Sequence, residues 1–313
     1  MSRRRSLSPR GPGRAASPWA AAAVVALTVV WTIPTFGLLV TSLRPSEKSA
    51  YSGWWVAFQD WTFTTENYQE VLSGGETLPT GITPYLVNSV VIALPVVVIG
   101  LVLACMAAYA LVWLPFRGSR LVLAGIVALQ VVPVQMALVP LSALFGQGWS
   151  LGPIPILPRI VDPSTGTSYL AGTYVPLWIT HLMLVLPLMV FLLYGTVARL
   201  PRELFDAARV DGAAHVQIFR RLVLPLATPM LASLAIFEFL WIWNDLIVAI
   251  TFSTGSPDVA PVTAYLAVLK GGYGQQEHLL TAGAFVALVV PLTLFFVLQR
   301  YFVRGLLAGS VEN

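Results

Sequence analysis

Residues Ala15–Leu43, AASPWAAAAVVALTVVWTIPTFGLLVTSL, contain not one charged side chain. A helix needs about 20 consecutive apolar residues to cross a bilayer core, and this run exceeds that. Ahead of it, Arg3, Arg4, Arg5, Arg10 and Arg14 make a basic start. A basic start before an apolar run is also how a secretory signal reads, and Ser2-Arg3-Arg4-Arg5-Ser6-Leu7 faintly resembles a twin-arginine signal. The run is too long for a signal core, however, and no A-x-A-like cleavage site follows it. A retained first span is expected.

Working outward, further apolar runs cover about Pro84–Leu114, the stretch after Arg120 to about Phe145, and about Tyr174–Ala198, Leu224–Phe252 and Leu279–Gln299. Six such runs fit the composition. Of 313 residues, 57% are hydrophobic and 10% charged, with a mean hydropathy of +0.79, whereas a soluble domain carries about 25% charged residues. A soluble globule, a disordered tail and a collagen-like fibre are excluded. The single Cys105 excludes a disulfide scaffold and a cysteine metal site.

Charge placement orients the spans. The N-terminus, the Arg117–Arg120 turn, the Arg199–Arg221 segment and the residues from Arg300 hold 14 of the 18 Lys and Arg residues. The opposite side holds Arg44, Lys48, Arg159 and Lys270. Such an excess marks the cytoplasmic side, so both termini lie inside, as an even number of spans requires. The net charge of +4 is thus a topology signal and calls for no nucleic acid. The expectation is an all-α integral membrane protein of six transmembrane helices. Residues 1–14 form a basic cytoplasmic segment, 15–304 the membrane domain and 305–313 a cytoplasmic tail. Pro34, Pro95, Pro133, Pro140, Pro187 and Pro291 fall inside the spans. Packed neighbours tolerate such residues, either as plain kinks or as hinges of a gate.

The cytoplasmic segment 199–225 is the richest in signals. Pro201 suits a first helical turn, Leu204, Ala207, Ala208 and Val210 recur at helical spacing, and Gly212 interrupts them. A second short helix carries Val216, Ile218, Phe219 and Leu222, with Pro225 and Pro229 leading into the fifth span. The small residues Ala207, Ala208, Gly212, Ala213 and Ala214 allow close approach by another protein, while an amphipathic helix resting on lipid headgroups has the same pattern.

Asp206-Ala207-Ala208, then Gly212 after three residues, then Leu222-Val223-Leu224-Pro225 after nine more, resembles the EAA loop of permease subunits in binding-protein-dependent ABC importers. The family pattern has Glu at the first position and Ile at the position of Leu222; both differences keep the chemistry. Phe63-Thr64-Thr65-Glu66-Asn67-Tyr68, Asn88-Ser89 and Trp243-Asn244-Asp245 are similar to the maltose-type, carbohydrate-uptake branch, and Gln299–Gly309 to its alpha-glucoside permeases. The resemblance implies the type I importer permease fold in the cytoplasmic (inner) membrane. It also implies a second permease subunit, two cytoplasmic ATPase subunits and an extracytoplasmic sugar-binding protein. The chain has no GxxxxGK[ST] phosphate loop, so ATP and Mg would sit on the ATPase subunits and this chain would bind no cofactor. The residues implied to couple to an ATPase are Glu203, Asp206, Ala207, Ala208, Asp211, Gly212, Ala213, Phe219, Leu224 and Pro225. The cargo implied is an alpha-glucoside oligosaccharide, with another polyol or glycerol phosphate as alternatives.

Polar groups inside spans are costly, about 2.5–3.5 kcal/mol for a central acid. Glu238 and Asp245, seven residues apart, are expected to share one helical face with Trp241 and Ile242 beside it. With Asn244 they could contact a sugar, pack against other helices, or carry protons in an ion-coupled secondary transporter. Gln130 and Gln135 flank Pro133 and could line a pathway or bond a neighbouring helix. A membrane scaffold that only recruits a partner through 199–225 is a further reading. His181, His215 and His278 are scattered without metal-ligand spacing, and no nucleophile–base pair suggests an enzyme. Gly271-Gly272-Tyr273 in the last external loop could reach a binding protein or form an ordinary turn.

Overall fold

In a computed structural model, residues 17–75, 79–114, 116–147, 149–151, 154–157, 173–253, 258–270 and 276–310 are described, with the backbone alone for those within 146–157 and 300–310. The helices are α1 (Pro18–Ser42), α2 (Ser46–Tyr51), α3 (Glu66–Ser73), α4 (Thr83–Trp113), α5 (Ser119–Leu129), α6 (Val134–Gln147), α7 (Val175–Ala198), α8 (Arg202–Val210), α9 (His215–Ile218), α10 (Leu224–Asn244), α11 (Ile247–Phe252), α12 (Val262–Lys270) and α13 (Glu277–Ser310). A short antiparallel hairpin, β1 (Trp149–Leu151) with β2 (Ile154–Leu157), occupies part of the stretch between α6 and α7. It adds a strand pair between the third and fourth apolar runs. Prolines 18, 84 and 176 open α1, α4 and α7, where a missing N–H costs nothing.

Among the described residues, five helical stretches are long and apolar enough to cross a membrane: α1, α4, α7, His215–Asn244 and Glu277–Gln299. The expected third span is not one straight helix. α5 and α6 are bent by 102° across Gln130–Pro133. Pro133 removes the N–H that would have bonded the carbonyl of Leu129, and its ring crowds the preceding turn. Counting the bent pair as one crossing gives the sixth span.

The core lies between α4, α7, α10 and α13, with α4 against α7 the most extensive packing. Gly100, Ala104 and Ala108 of α4 are buried at successive steps of four residues, a small-residue stripe that brings backbones close without help from the hydrophobic effect. A Cβ on Gly100 would stand 3.0 Å from Met189 Sδ of α7. α1 packs on α13 but leaves Trp19, Val24, Val25, Val30 and Trp31 uncovered, as a helix facing lipid does.

On the external side, hydrogen bonds fasten loops to helices beside the buried Val71, Ile82, Val262, Tyr265 and Leu279. Asn67 Nδ2 donates to the carbonyls of Ser42 and Arg44 at 2.9 and 2.8 Å, which satisfies the C-terminus of α1. Asn88 Nδ2 donates to Ala260 O, and Ser89 Oγ accepts from the N–H of Val262. The motif residues Asn67, Asn88 and Ser89 are therefore fasteners of loop to helix.

Candidate functional site

On the cytoplasmic side α8 ends in a left-handed closure. Gly212 has φ +76°; its N–H donates to Arg209 O at 3.0 Å, and the N–H of Ala213 donates to Ala208 O at 2.9 Å. These two bonds satisfy the last carbonyls of α8, and the conformation favours glycine at that one position. The N–H of Ala214 then donates to the side chain of Gln217, opening α9. The spacing from Asp206 to Gly212 thus reflects a short helix and its stop.

The second helix of this segment is not separate from the fifth span. α9, a wide π-helical turn at Phe219–Val223 and α10 run on as one helical stretch from His215 to Asn244. Pro225 lies in the first turn of α10. The widened turn before it gives room to a ring and a missing donor that a tight α turn would not accommodate.

Aromatic side chains of α4 hold this segment. The rings of Phe205 and Trp113 stack with centroids 3.7 Å apart, and Phe205 is fully buried. One turn back, Tyr109 Oη hydrogen-bonds His215 Nδ1 at 2.9 Å and its ring meets Phe219 at 5.6 Å. Sequence reasoning missed Tyr109, Trp113, Phe205 and His215. Their signal was the four-residue spacing of two aromatics at the cytoplasmic end of a span. Glu203, Asp206, Asp211 and Gly212 stand exposed, beside uncovered Leu204, Val210 (86% exposed) and Val216 (67% exposed). Ala207 and Pro225 are also exposed, whereas Ala208, Ala213, Phe219 and Leu224 pack partly on the core.

In the membrane, Gln130 and Trp241 line one groove of about 620 Å³ with Met136, Met183 and Pro187. The groove lies at the bend between α5 and α6, where Gln130 shares it with Met183 and Pro187 of α7 and Trp241 of α10. Gln135 is exposed and does not line it. Asn244 is exposed and its Nδ2 donates back to Leu240 O at 2.7 Å.

The expected shared face of Glu238 and Asp245 is not formed. α10 stops at Asn244, and Asp245 adopts extended backbone angles. Its carboxylate instead accepts the N–H groups of Ile247 and Val248, capping α11, and lies 3.6 Å from His181 Nε2 of α7. Thr263 Oγ1 donates to its carbonyl. Glu238 is fully enclosed, with neither carboxylate oxygen hydrogen-bonded among the described residues. Enclosed and unpartnered, Glu238 is not connected to Asp245 through any hydrogen bond among the described residues. Asp245→Ala is expected to cost about 1 kcal/mol through the lost cap and to lower the thermal midpoint of the purified protein. An unchanged midpoint would show the cap to be idle. Residues 1–14 and the Gly271-Gly272-Tyr273 loop lie outside the described residues.

With this geometry in view, the comparisons are specific. The family described as binding-protein-dependent transport system inner membrane component matches residues 84–307. An osmoprotective compounds uptake permease of Synechocystis sp. is 42% identical over 295 residues, covering 93% of this chain and 91% of its own. An alpha-glucoside transport system permease of Rhizobium meliloti is 46% identical over 251 residues, 80% of this chain and 61% of its own. In structure, a chain of a bacterial ABC transporter involved in the import of alginate superposes with a TM-score of 0.65 at 17% identity, over 91% of this chain and 96% of that one.

Proposed function

The chain belongs to the family of binding-protein-dependent transport system inner membrane components, and on that premise we propose that it forms half of a translocation pathway for an alpha-glucoside. As a member it is a non-catalytic inner-membrane component, and ATP hydrolysis falls to partner ATPase subunits. The ion-coupled reading falls with that membership.

The observation that carries the coupling role is the exposed hinge of α8, Gly212 and α9, keyed to the end of α4. Acidic Glu203 and Asp206 and apolar Leu204, Val210 and Val216 form its free face, which suits a cleft on an ATPase subunit. A push on α8 passes to α4 through the Phe205–Trp113 stack. A push on α9 passes along the single helix to Asn244, beside the groove lined by Gln130 and Trp241. Closure of an ATPase pair would then bias a two-state gate. A second permease subunit would supply the other wall, and an extracytoplasmic binding protein would deliver the cargo. In the groove, the Trp241 ring can stack on the C–H face of a sugar and the Gln130 amide can bond its hydroxyls.

The alpha-glucoside rests on the Rhizobium relative. A second reading, an osmoprotective compound, rests on the Synechocystis relative. Vesicles holding the complete transporter should accumulate labelled maltose, trehalose or sucrose only with internal ATP and the binding protein. Accumulation of a betaine alone, or of a polyol phosphate alone, would move the cargo class. Uptake driven by a proton gradient without ATP would sink the importer reading.

A further inference from the structure

On the external side, residues 44–63 leave α1 and fold back onto it as one loop. The N–H of Thr64 donates to Leu43 O at 2.7 Å and clasps its neck. The loop contains α2 and a short 3₁₀ helix, Trp54–Phe58. We propose that this loop dips into the outer leaflet of the bilayer and rests its aromatic side on the lipid acyl chains there. The proposal goes beyond the importer reading and needs only that α1 crosses the membrane.

The loop packs well below the external end of α1. The Trp54 ring lies over Gly37, where a Cβ would stand 2.6 Å from Trp54 Nε1. It also meets Phe36 edge to face with centroids 6.1 Å apart, and Phe58 stacks on Phe36 at 6.4 Å. Gly37 and Phe36 precede Ser42, the last residue of α1, by five and six residues, about 8–9 Å along a helix. The 25 residues of α1 span about 37 Å, against about 30 Å for a hydrocarbon core. Phe36 therefore stays at or inside the hydrocarbon boundary even if the whole excess length lies outside. A segment lying in a bilayer surface is buried to about 5–10 Å, which is the depth these contacts give. A water-soluble partner would have to reach below the end of a spanning helix to cover the same face.

The aromatic side continues the uncovered face of α1. Rings run edge to face from Trp54 through Phe58 and Trp61 to Phe63, each pair 6.1–6.2 Å apart. Trp55 is 62% and Trp61 72% exposed, and Phe58 and Phe63 are uncovered beside them. Phe36 joins this ladder to exposed Ile33, one helical turn away on α1. Tryptophan is favoured where a bilayer meets water. Residues 44–63 hold Arg44 and Lys48 against Glu47 and Asp60, a net charge of zero, so insertion draws on apolar area and not on anionic headgroups.

The interior of the loop meets the second demand of lipid, that backbone groups be satisfied without water. Arg44 is buried, and its guanidinium donates to the carbonyls of Lys48, Ser52 and Gly53 at 3.0, 2.8 and 3.0 Å and to Ser52 Oγ. A guanidinium spent on carbonyls supplies the donors that water gives to an ordinary external loop. Lys48 pairs with Asp60 and donates to Thr62 Oγ1 at 2.7 Å, so Lys48 and Asp60 neutralise each other.

The test places a photoreactive side chain, Trp55→p-benzoylphenylalanine or Trp61→p-benzoylphenylalanine, in the complete transporter held in nanodiscs of phosphatidylethanolamine and phosphatidylglycerol. The same change at exposed Gln69 of α3 is the water-side control. After irradiation, the intact mass of the chain reads what was captured. Positions 55 and 61 should carry a phospholipid adduct with or without binding protein present, and position 69 should carry none. Arg44→Lys should lower the adduct at position 61, because one ammonium cannot serve the carbonyls of Lys48, Ser52 and Gly53 together. An adduct unchanged by Arg44→Lys would overturn the role given to that guanidinium. Capture of another subunit or of the binding protein at positions 55 and 61, or a phospholipid yield there no higher than at 69, would overturn the proposal.

Discussion

Gly212→Pro is expected to abolish ATP-driven uptake while leaving the protein in the membrane. Proline locks φ near −65°, whereas Gly212 sits at +76°. Proline also removes the N–H that bonds Arg209 O and thereby closes α8. The combined penalty is about 3 kcal/mol or more, roughly a hundredfold in the fraction of molecules holding this hinge. Gly212→Ala should fall between wild type and proline. Nothing lies within 4 Å of the added Cβ, so its cost is the left-handed backbone alone, about 1–2 kcal/mol. Asp206→Arg makes a complementary probe: Asp206 is exposed and holds no ion pair among the described residues, so reversal should spare the fold and remove coupling. The measurements are membrane level, uptake and ATPase rate of the assembled transporter. Normal uptake by the proline variant would end the coupling assignment for this hinge.

Phe205→Ala should uncouple the transporter by a different route. It leaves the hinge geometry alone and removes the anchor between α8 and α4. A fully buried ring stacked at 3.7 Å is worth about 3–5 kcal/mol on truncation, enough to free a nine-residue helix from its seat. The expected result is ATP hydrolysis without uptake, and faster tryptic cleavage after Arg202 and Arg209, which flank the loosened ring. Phe205→Leu keeps apolar volume without the stack and should lie between. Wild-type uptake together with wild-type cleavage in Phe205→Ala would show that α8 is held by other contacts.

Much of this was legible in the chain, because a bilayer imposes a one-dimensional code. Runs without charge must be helices, and Arg placement must orient them. The family of the 199–225 segment was legible for a related reason: a short helix, a left-handed stop and a second start fix residue types at fixed spacing. Gly212 is the example, since its φ of +76° restricts the position wherever that stop is made.

The misread residues share one cause. A helix that continues puts Glu238 and Asp245 on one face, but periodicity carries no signal for a stop inside an apolar run. α10 ends at Asn244 because Asp245 finds partners elsewhere, in the N–H groups of α11 and in His181 of α7. The bend at Pro133 was likewise open in sequence, where a proline marks a kink without its angle; packing of α5 on α7 and of α6 on α11 selects 102°. The sequence by itself determined the solvent, the orientation and the hinge, since each depends on a residue and its chain neighbours. Only the tertiary structure decided that Trp113 meets Phe205, that Gln130 and Trp241 share a groove, and that Trp54 and Phe58 meet Phe36. Those contacts join residues many positions apart, and they follow from the burial of whole helices against one another, which no local pattern records.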